Sequence, residues 1–238
     1  MSTQDRDQLT PAAGVQPQVA QPASLDFEAM ERELYTGVIC DTLDSLGYRN
    51  QAMEAFVRPV HPDMVVAGRA RTVLSVDVYE IQDSCYEKEI AFVDSLKPGD
   101  VAVGCTNRSV RTGLWGELLS TASKVRGARG AIMDGYTRDV RRIISMGFPV
   151  FAAGMKPVDS RGRGLVIDYD VPVECAGVMV RSGDIIFADI DGVAVIPQEV
   201  AEETVRLALE KVRHENTTRD ELLQGSYLQD VYNRYGVL

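Results

Sequence analysis

The chain has 238 residues, of which 45% are hydrophobic and 25% are charged, as is ordinary for one globular domain with appendages. Its formal net charge of −10 at pH 7 argues against general nucleic acid binding, because neutralising phosphates requires an excess of Lys and Arg. No apolar run is long enough to span a membrane, and the N-terminus lacks the basic and apolar segments of a signal peptide. We therefore expect a cytoplasmic protein with neither a nucleic acid nor a membrane partner.

Three regions differ in composition. Residues 1–24 are rich in Gln, Pro, Ala, Ser and Thr without apolar periodicity, which predicts a disordered tail. Residues 25–200 are predicted to form an α/β domain that begins with a helix over 25–46 and its stop at Gly47. Residues 201–238 read as a helical arm.

The domain alternates between strand and helix patterns in its middle part. Such alternation is typical of parallel βαβ units, and the short strands beyond Gly154 suggest a second β layer with flanking helices. The predicted elements are a strand over 65–76 with a bulge near Gly68, a helix over 86–96, helices over 114–125 and 138–146, and strands over 131–133 and 149–153.

The C-terminal arm is charged and sparse in aliphatic residues. A helix is predicted from Gln198 to about residue 215, and a second over about 219–234. We expect this arm to pack on a neighbouring subunit, and a solvated helix is the alternative.

Histidine and cysteine limit the possible chemistry. The two histidines, His61 and His214, are too few for a His-rich zinc site, and both are expected at the surface. The four cysteines are widely spaced and form no CxxC pair, which predicts separate reduced thiols.

The stretch GAIMDGYTRDVRR, residues 130–142, places Arg138 and Asp139 where a strand gives way to a helix. In α/β proteins, sites form where strands end in this way. A capped helix start with Arg138 solvated is the alternative for this stretch alone.

A second helix start lies in GLWGELLSTA, residues 113–122. The free backbone N–H groups of Gly116, Leu118 and Leu119 are suited to hold a carboxylate or phosphate, whereas Glu117 alone is also explained by the helix dipole. In a βαβ arrangement the two helix starts open onto the same sheet edge, which would then hold two acids, one Arg and free N–H donors.

Those groups suit a hard divalent cation and a small oxo-acid. Mg²⁺ prefers oxygen ligands and keeps several waters, so one or two carboxylates suffice, and it would polarise a carbonyl group and stabilise an enolate. Arg binds a carboxylate or an oxyanion with two hydrogen bonds. The loops 77–86 and 155–164 are expected to contact the distal end of the substrate. Within the latter, SRGRG lacks the spacing of a phosphate-binding motif.

Several motifs in order resemble the regulator of ribonuclease activity A family, which includes the 4-hydroxy-4-methyl-2-oxoglutarate and 4-carboxy-4-hydroxy-2-oxoadipate aldolases. The motifs are GDVAVG, WGELLSTAS, GARGAIMDGYTRDVRRI, FPVFAAGMKP and VPVECAGVMVRSGDIIFADIDGVAVIP. The resemblance implies a swivelling β/β/α-type single domain with an N-terminal helix. It also implies a ring-shaped homotrimer, or a homohexamer of two rings, with active sites at subunit interfaces.

Aldolases of the family carry an acid, twenty intervening residues and then Arg-Asp, a spacing that Glu117 and Arg138-Asp139 keep. The resemblance implies that Asp139, with Glu117, holds Mg²⁺ or Mn²⁺, and that Arg138 binds the pyruvate moiety and stabilises its enolate. It implies that the backbone from Gly116 through Leu118 and Leu119 receives the substrate carboxylate. The chain departs from the family in having Glu at position 117, where the characterised aldolases have Asp.

The family also draws a catalytic acid from a neighbouring subunit's C-terminal helix, and Glu215 is the best match. The function expected from these residues is a metal-dependent aldolase without a Schiff base, because Lys124 is the only lysine near the helix starts. It would cleave a 4-hydroxy-2-oxo acid to pyruvate and could decarboxylate oxaloacetate. The alternatives are a non-catalytic regulator that binds a ribonuclease and a lyase acting on a sugar-derived oxo-acid.

Overall fold

The computed structural model describes residues 25–236, so the predicted tail at 1–24 lies outside the described residues. The described helices are α1 (Phe27–Glu33), α2 (Thr36–Ser45), α3 (Glu87–Ser95), α4 (Glu117–Val125), α5 (Val140–Met146), α6 (Ala201–Leu223) and α7 (Leu228–Tyr235). The strands are β1 (Arg58–Pro59), β2 (Val66–Asp77), β3 (Asp100–Cys105), β4 (Gly113–Trp115), β5 (Gly130–Met133), β6 (Tyr136–Thr137), β7 (Val150–Ala152), β8 (Gly154–Met155), β9 (Gly164–Tyr169), β10 (Val173–Cys175), β11 (Val178–Val180), β12 (Ile185–Asp189) and β13 (Gly192–Ile196).

The main sheet has eight strands and is nearly closed. Its order is β1-β7-β5-β3-β2-β12-β13, and β9 pairs with the far part of β2. The pairs β2–β3, β3–β5 and β5–β7 are parallel, as the βαβ pattern predicts, and the pairs made by β1, β9, β12 and β13 are antiparallel. The two end strands of this order, β1 and β13, are connected through the segment before β1. The Met53 N–H in that segment donates to Val193 O of β13, and β1 pairs with β7 at the other end. The single α/β domain is thereby confirmed.

Two hydrophobic cores cover opposite faces of this sheet. Along β12, Ile185 and Phe187 belong to one core and Ile186 and Ala188 to the other, as expected from side chains that alternate along a strand. The core with Phe187 lies under α1, α2 and α6, and the other lies under α3, α4 and α5. The helices near the candidate site thus rest on one face of the sheet.

The predicted helix over 25–46 is wrong as a single element. It breaks at Leu34 and Tyr35, which are both extended. Leu34 is buried in the core under α1, and the backbone N–H of Thr36 donates to the buried Asp189 carboxylate at 2.8 Å. These tertiary contacts offset the loss of helical continuity and allow both short helices to pack on the sheet.

The predicted bulge near Gly68 is also wrong. Gly68 continues β2 without interruption, and a Cβ atom there would lie 2.7 Å from the carbonyl oxygen of Gly99. The glycine therefore serves close backbone approach, whereas the register shift of β2 occurs between Leu74 and Ser75, opposite β9.

Two predicted helices begin later than expected, at Glu117 and at Val140. The residues before them form strands β4 and β6, which join β8 in a separate three-stranded sheet. The prediction of a strand passing directly into a helix missed this short sheet, because two or three residues are too few to show a period.

The C-terminal arm is one long helix followed by a short one, instead of two helices that part near residue 215. The first turns of α6 pack on α2, with Ala201, Val205 and Ala208 buried. Leu223 and Tyr227 are largely exposed. Packing of the arm on a neighbouring subunit stays a prediction. Within residues 25–236, no helix combines the length and apolarity needed to cross a bilayer.

Candidate active site

The three-stranded sheet brings the two predicted helix starts together. Strands β4 and β6 are parallel neighbours, and each is followed by a helix, so their carboxyl ends meet at one edge. The backbone N–H of Arg138 donates to Trp115 O at 2.8 Å, and the Thr137 hydroxyl donates to the same oxygen at 2.7 Å. As predicted, the starts of α4 and α5 share a sheet edge, although it belongs to the small sheet and not the main one.

Asp139 links the two helix starts directly. Its Oδ2 accepts a hydrogen bond from the backbone N–H of Glu117 at 3.3 Å. The residue lies in the left-handed region, with φ 57° and ψ 28°, and its side chain does not cap its own helix. Asp tolerates this conformation better than most residues, but it costs energy and such residues cluster at functional sites. The strained backbone directs the carboxylate across to α4.

Glycine is required where the small sheet meets this pair of residues. A Cβ atom on Gly113 would lie 2.4 Å from Lys156 O, and one on Gly116 would lie 2.9 Å from Asp139 Oδ2 and 3.1 Å from Arg138 Nε. The absence of side chains at both positions allows Arg138 and Asp139 to approach the start of α4.

Gly116→Ala is therefore expected to lower activity more than stability. Gly116 has an ordinary extended backbone, φ −141°, so alanine adds no backbone strain and the new methyl group displaces the Asp139 carboxylate. We expect roughly a tenfold loss or more in turnover, because small displacements of catalytic groups are costly. The expected destabilisation is about 1 kcal/mol, at the low end for overpacking, because the displaced atoms lie on side chains and not on the backbone. Steady-state kinetics measure the change in turnover, and urea unfolding measures the change in stability. Equal turnover in the wild type and in Gly116→Ala would contradict the expectation.

Arg138 is held by a second carboxylate that the sequence did not reveal. Its Nη2 lies 3.1 Å from Asp159 Oδ1, and its Nε lies 3.7 Å from Asp139 Oδ2. Asp159 Oδ2 in turn accepts a hydrogen bond from the Tyr86 hydroxyl at 2.5 Å. In the described part of the chain, the Arg138 Nε is sealed from solvent and makes no hydrogen bond. The guanidinium group is thus fixed between two acids.

The ionisation of Tyr86 and Asp159 reflects this arrangement. The hydrogen bond to Asp159, with burial adding to it, raises the pKa of Tyr86 to about 12. Burial pushes the pKa of Asp159 upward, but the hydrogen bond from Tyr86, backbone donors and the Arg138 charge outweigh it and bring the pKa below its usual value. Asp159 is therefore an anion at neutral pH and Tyr86 is a neutral phenol.

Asp159→Asn is expected to lower kcat/KM by roughly 10- to 100-fold, because outer partners orient the groups that touch substrate. The amide keeps the shape but removes the charge that fixes Arg138. The measurement is turnover of the oxo-acid expected from the sequence, and Asp168→Asn, an exposed change on β9, is the matched control. Wild-type kinetics in Asp159→Asn would show that Arg138 does not depend on this ion pair.

These residues border a cavity of about 410 Å³. Its lining comprises Tyr86, Glu89, Ile90, Leu114, Gly116, Glu117, Leu118, Leu119, Arg138, Asp139, Asp159 and Ser160. Six of the predicted site residues are among them, namely Gly116, Glu117, Leu118, Leu119, Arg138 and Asp139. Glu117 lies at the rim, where its Oε1 accepts a hydrogen bond from Thr121 at 2.9 Å.

Glu215 is not brought to this cavity within one chain. It lies on α6 and accepts a hydrogen bond from the Tyr35 hydroxyl. Burial and this hydrogen bond raise the pKa of Tyr35 to about 12. The predicted role of Glu215 needs a neighbouring subunit and stays a prediction.

Prediction from the sequence missed Tyr86, Glu89 and Asp159. They belong to α3 and its N-cap and to a loop, where a single acid or Tyr has no spacing that marks it. The sequence offered only the general expectation that loops 77–86 and 155–164 contact the substrate. Tyr86 and Asp159 lie in these two loops, and both line the cavity.

The donor set fits a hard cation that keeps most of its water. Among residues 25–236 no three or more His, Cys, Asp and Glu side chains gather as a metal site. Asp139 and Glu117 both line this cavity, and the contacts of Asp139 in the described structure all involve Oδ2, so Oδ1 is available. One or two carboxylates suffice for Mg²⁺, whereas a zinc site would need more protein ligands.

Comparisons with known proteins show which family the chain resembles. The family model described as Aldolase/RraA (RraA-like) matches residues 36–195. A protein of Halalkalibacterium halodurans, provisionally named 4-hydroxy-4-methyl-2-oxoglutarate aldolase, is 31% identical over 79% of this chain and 85% of its own length. A protein of the same provisional name from Halorhodospira halophila is 34% identical over 61% of this chain and 88% of its own. The crystal structure of Streptomyces coelicolor RraAS2, described as an unusual member of the RNase ES inhibitor RraA protein family, has a TM-score of 0.74. It is 28% identical and covers 82% of this chain and 96% of its own.

Proposed function

Because this chain belongs to the Aldolase/RraA family, we propose that it is a divalent-metal-dependent aldolase that cleaves a 4-hydroxy-2-oxo acid to pyruvate and a second carbonyl compound. The observation that carries the proposal is the meeting of Glu117, Arg138 and Asp139 at one cavity edge. A site of two acids, one Arg and free N–H donors matches an oxo-acid that develops negative charge during reaction.

Each residue has a defined task in this proposal. Asp139, with Glu117, would hold Mg²⁺ or Mn²⁺, which when bound supplies the electrophile that polarises the 2-oxo group. Arg138 binds the pyruvate moiety and balances the charge that develops on its oxygen. The backbone N–H groups at the start of α4, in Leu118 and Leu119, receive the substrate carboxylate.

The reaction is a retro-aldol cleavage. The C4 hydroxyl group gives its proton to a base, and the electron pair of its O–H bond forms the carbonyl double bond of the second product as the C3–C4 bond breaks. The electron pair of the C3–C4 bond forms the C2=C3 double bond of the pyruvate enolate, and the electron pair of the former C2 carbonyl double bond moves to the C2 oxygen as negative charge. A proton then adds to C3. Decarboxylation of oxaloacetate passes through the same enolate, with carbon dioxide as the leaving group, and is a second expected activity.

Glu at position 117 changes the position of one acid. Its carboxylate bonds Thr121 on its own helix, and one extra methylene separates it from the backbone relative to Asp. We propose that the position of Glu117 affects the choice of substrate, so a panel of oxo-acids is required.

We further propose a homotrimer or homohexamer in which Glu215 of a neighbouring subunit completes the site. The exposed Leu118, 75% accessible beside the cavity, supports a partner surface at this edge. A Schiff-base route is not supported: Lys124 donates to the carbonyl oxygen of Met146, and no lysine lines the cavity in the described residues.

The second candidate is a non-catalytic regulator that binds a ribonuclease, which the description of the RraAS2 structure favours. Retention of Glu117, Arg138 and Asp139 at one cavity favours the enzyme, because a protein-binding surface needs no such set. A lyase acting on a sugar-derived oxo-acid would use the same residues and is separated from the first candidate only by the substrate panel.

The test is pyruvate release, coupled to lactate dehydrogenase, from oxaloacetate and a panel of 4-hydroxy-2-oxo acids with Mg²⁺ and then with EDTA. We expect turnover that EDTA abolishes and that borohydride does not trap as a covalent adduct. No turnover of any oxo-acid, together with capture of a ribonuclease by the pure protein, would overturn the aldolase in favour of the regulator.

A further inference from the structure

We propose that Glu89 is the group that exchanges a proton with C3 of the bound pyruvate skeleton, an inference that rests on the aldolase function proposed above. Glu89 lies on α3 and lines the same cavity as the two helix starts, and none of the predicted roles uses it.

The burial of Glu89 is unusual for an acid without a partner. The residue is 8% exposed and lines the cavity. Within residues 25–236 no donor bonds its carboxyl group, and its oxygens are not among the fully sealed, unpaired atoms, so they retain some accessible surface. A buried carboxyl group without a hydrogen-bond partner, in a residue that lines a cavity, is costly for folding and is typical of a functional position.

The charges around Glu89 come from three other elements. Asp159 precedes β9, Arg138 precedes α5 with Asp139 next to it, and Glu117 begins α4. Burial, with the Asp159 charge adding to it, raises the pKa of Glu89 to about 7, while Arg138 acts in the opposite direction. Glu89 can thus be a neutral acid or a carboxylate near neutral pH, as a general acid and base must be.

The other titratable groups of the cavity are less suited to this task. Tyr86 is too weak an acid, because its hydroxyl is held by Asp159. Asp159 is engaged by both Tyr86 and Arg138. Glu117 and Asp139 are assigned to the cation. Glu89 is the remaining acid among the lining residues.

The proposed step is balanced. In its protonated form Glu89 gives its proton to C3, the electron pair of the enolate double bond forms the new C3–H bond, and the C2 carbonyl group is restored. Glu89 is left as a carboxylate and recovers a proton from water. In the reverse direction the carboxylate removes a proton from the methyl group of pyruvate.

The test is exchange of the pyruvate methyl protons with D₂O, followed by NMR in the wild type and in Glu89→Gln with Mg²⁺ present. We expect the variant to lose exchange by roughly 100-fold or more, as for the removal of a general acid or base. The wild-type rate should rise with pH through about 7, and this limb should be absent in the variant. Glu89→Asp should recover part of the exchange.

Two controls separate this role from a structural one. Glu87→Gln changes an exposed acid on the same helix and should leave exchange unaltered. Binding of oxalate, an enolate mimic, is measured by the fluorescence of Trp115, the only tryptophan, which lies beside Gly116. The affinity for oxalate should be unchanged in Glu89→Gln. Full exchange in Glu89→Gln would overturn the inference alone, whereas a wild type that neither exchanges nor releases pyruvate would overturn the proposed function with it.

Discussion

Asp139→Asn is expected to lower pyruvate release by roughly 100-fold or more, because a bound cation supplies several kcal/mol of charge stabilisation and each 1.36 kcal/mol is tenfold in rate. Asn is chosen because it tolerates the left-handed backbone of position 139 and keeps the side-chain shape. The change removes the charge and leaves the contact with the Glu117 N–H available to the amide oxygen.

The controls for this prediction are a stability measurement and a remote variant. Asp139→Asn should unfold in urea at nearly the wild-type midpoint, and Asp63→Asn, whose side chain is 88% exposed, should keep full activity. Asp139→Asn with wild-type turnover would show that the Asp139 carboxylate takes no part in the chemistry.

Glu89→Gln is expected to stabilise the protein at alkaline pH. Burial and the Asp159 charge raise the pKa of Glu89 from 4.5 to about 7, so the folded state holds this proton more tightly than the unfolded state. The wild type therefore loses stability as pH rises from about 4.5 through about 7, and the loss is complete above the folded pKa. The full difference amounts to about 3 kcal/mol in the free energy of unfolding.

The measurement is urea unfolding of both proteins at pH 5 and pH 8. The variant carries a neutral side chain of the same shape at every pH, so its advantage should be small at pH 5 and approach the full value at pH 8. Titration of every other group is common to both proteins and cancels in the comparison. Glu87→Gln should show no such trend, and an equal difference at both pH values would mean that Glu89 is not a buried neutral acid.

The meeting of the two helix starts was predicted from the sequence better than the elements around it, for a physical reason. Glu117 and Asp139 each lie at a helix start, and parallel neighbouring strands place such starts together, so local signals and one topological rule were enough. The short strands β4, β6 and β8 were missed because they have too few residues to show alternation. They nevertheless set the distance between the two helices.

The residues around Arg138 depend on contacts far apart in the chain. Tyr86 and Asp159 are separated by 73 positions, and only the fold brings them together. Glu89 looks like an ordinary charged residue of an amphipathic helix, and its burial becomes visible only once α4 and the loop before β9 are in place. The break between α1 and α2 also depends on a distant contact. The hydrogen bond from the Thr36 N–H to Asp189 stabilises the break, although the sequence pattern predicts one continuous helix.

The most direct test of the central claim is a titration with Mn²⁺ followed by EPR, in the wild type and in Asp139→Asn. If Asp139 and Glu117 hold a divalent cation beside Arg138, the wild type will bind Mn²⁺ stoichiometrically, oxalate will alter the spectrum of the bound ion, and the variant will bind it far more weakly. A wild type that leaves Mn²⁺ free, or a variant that binds it equally well, would contradict the account.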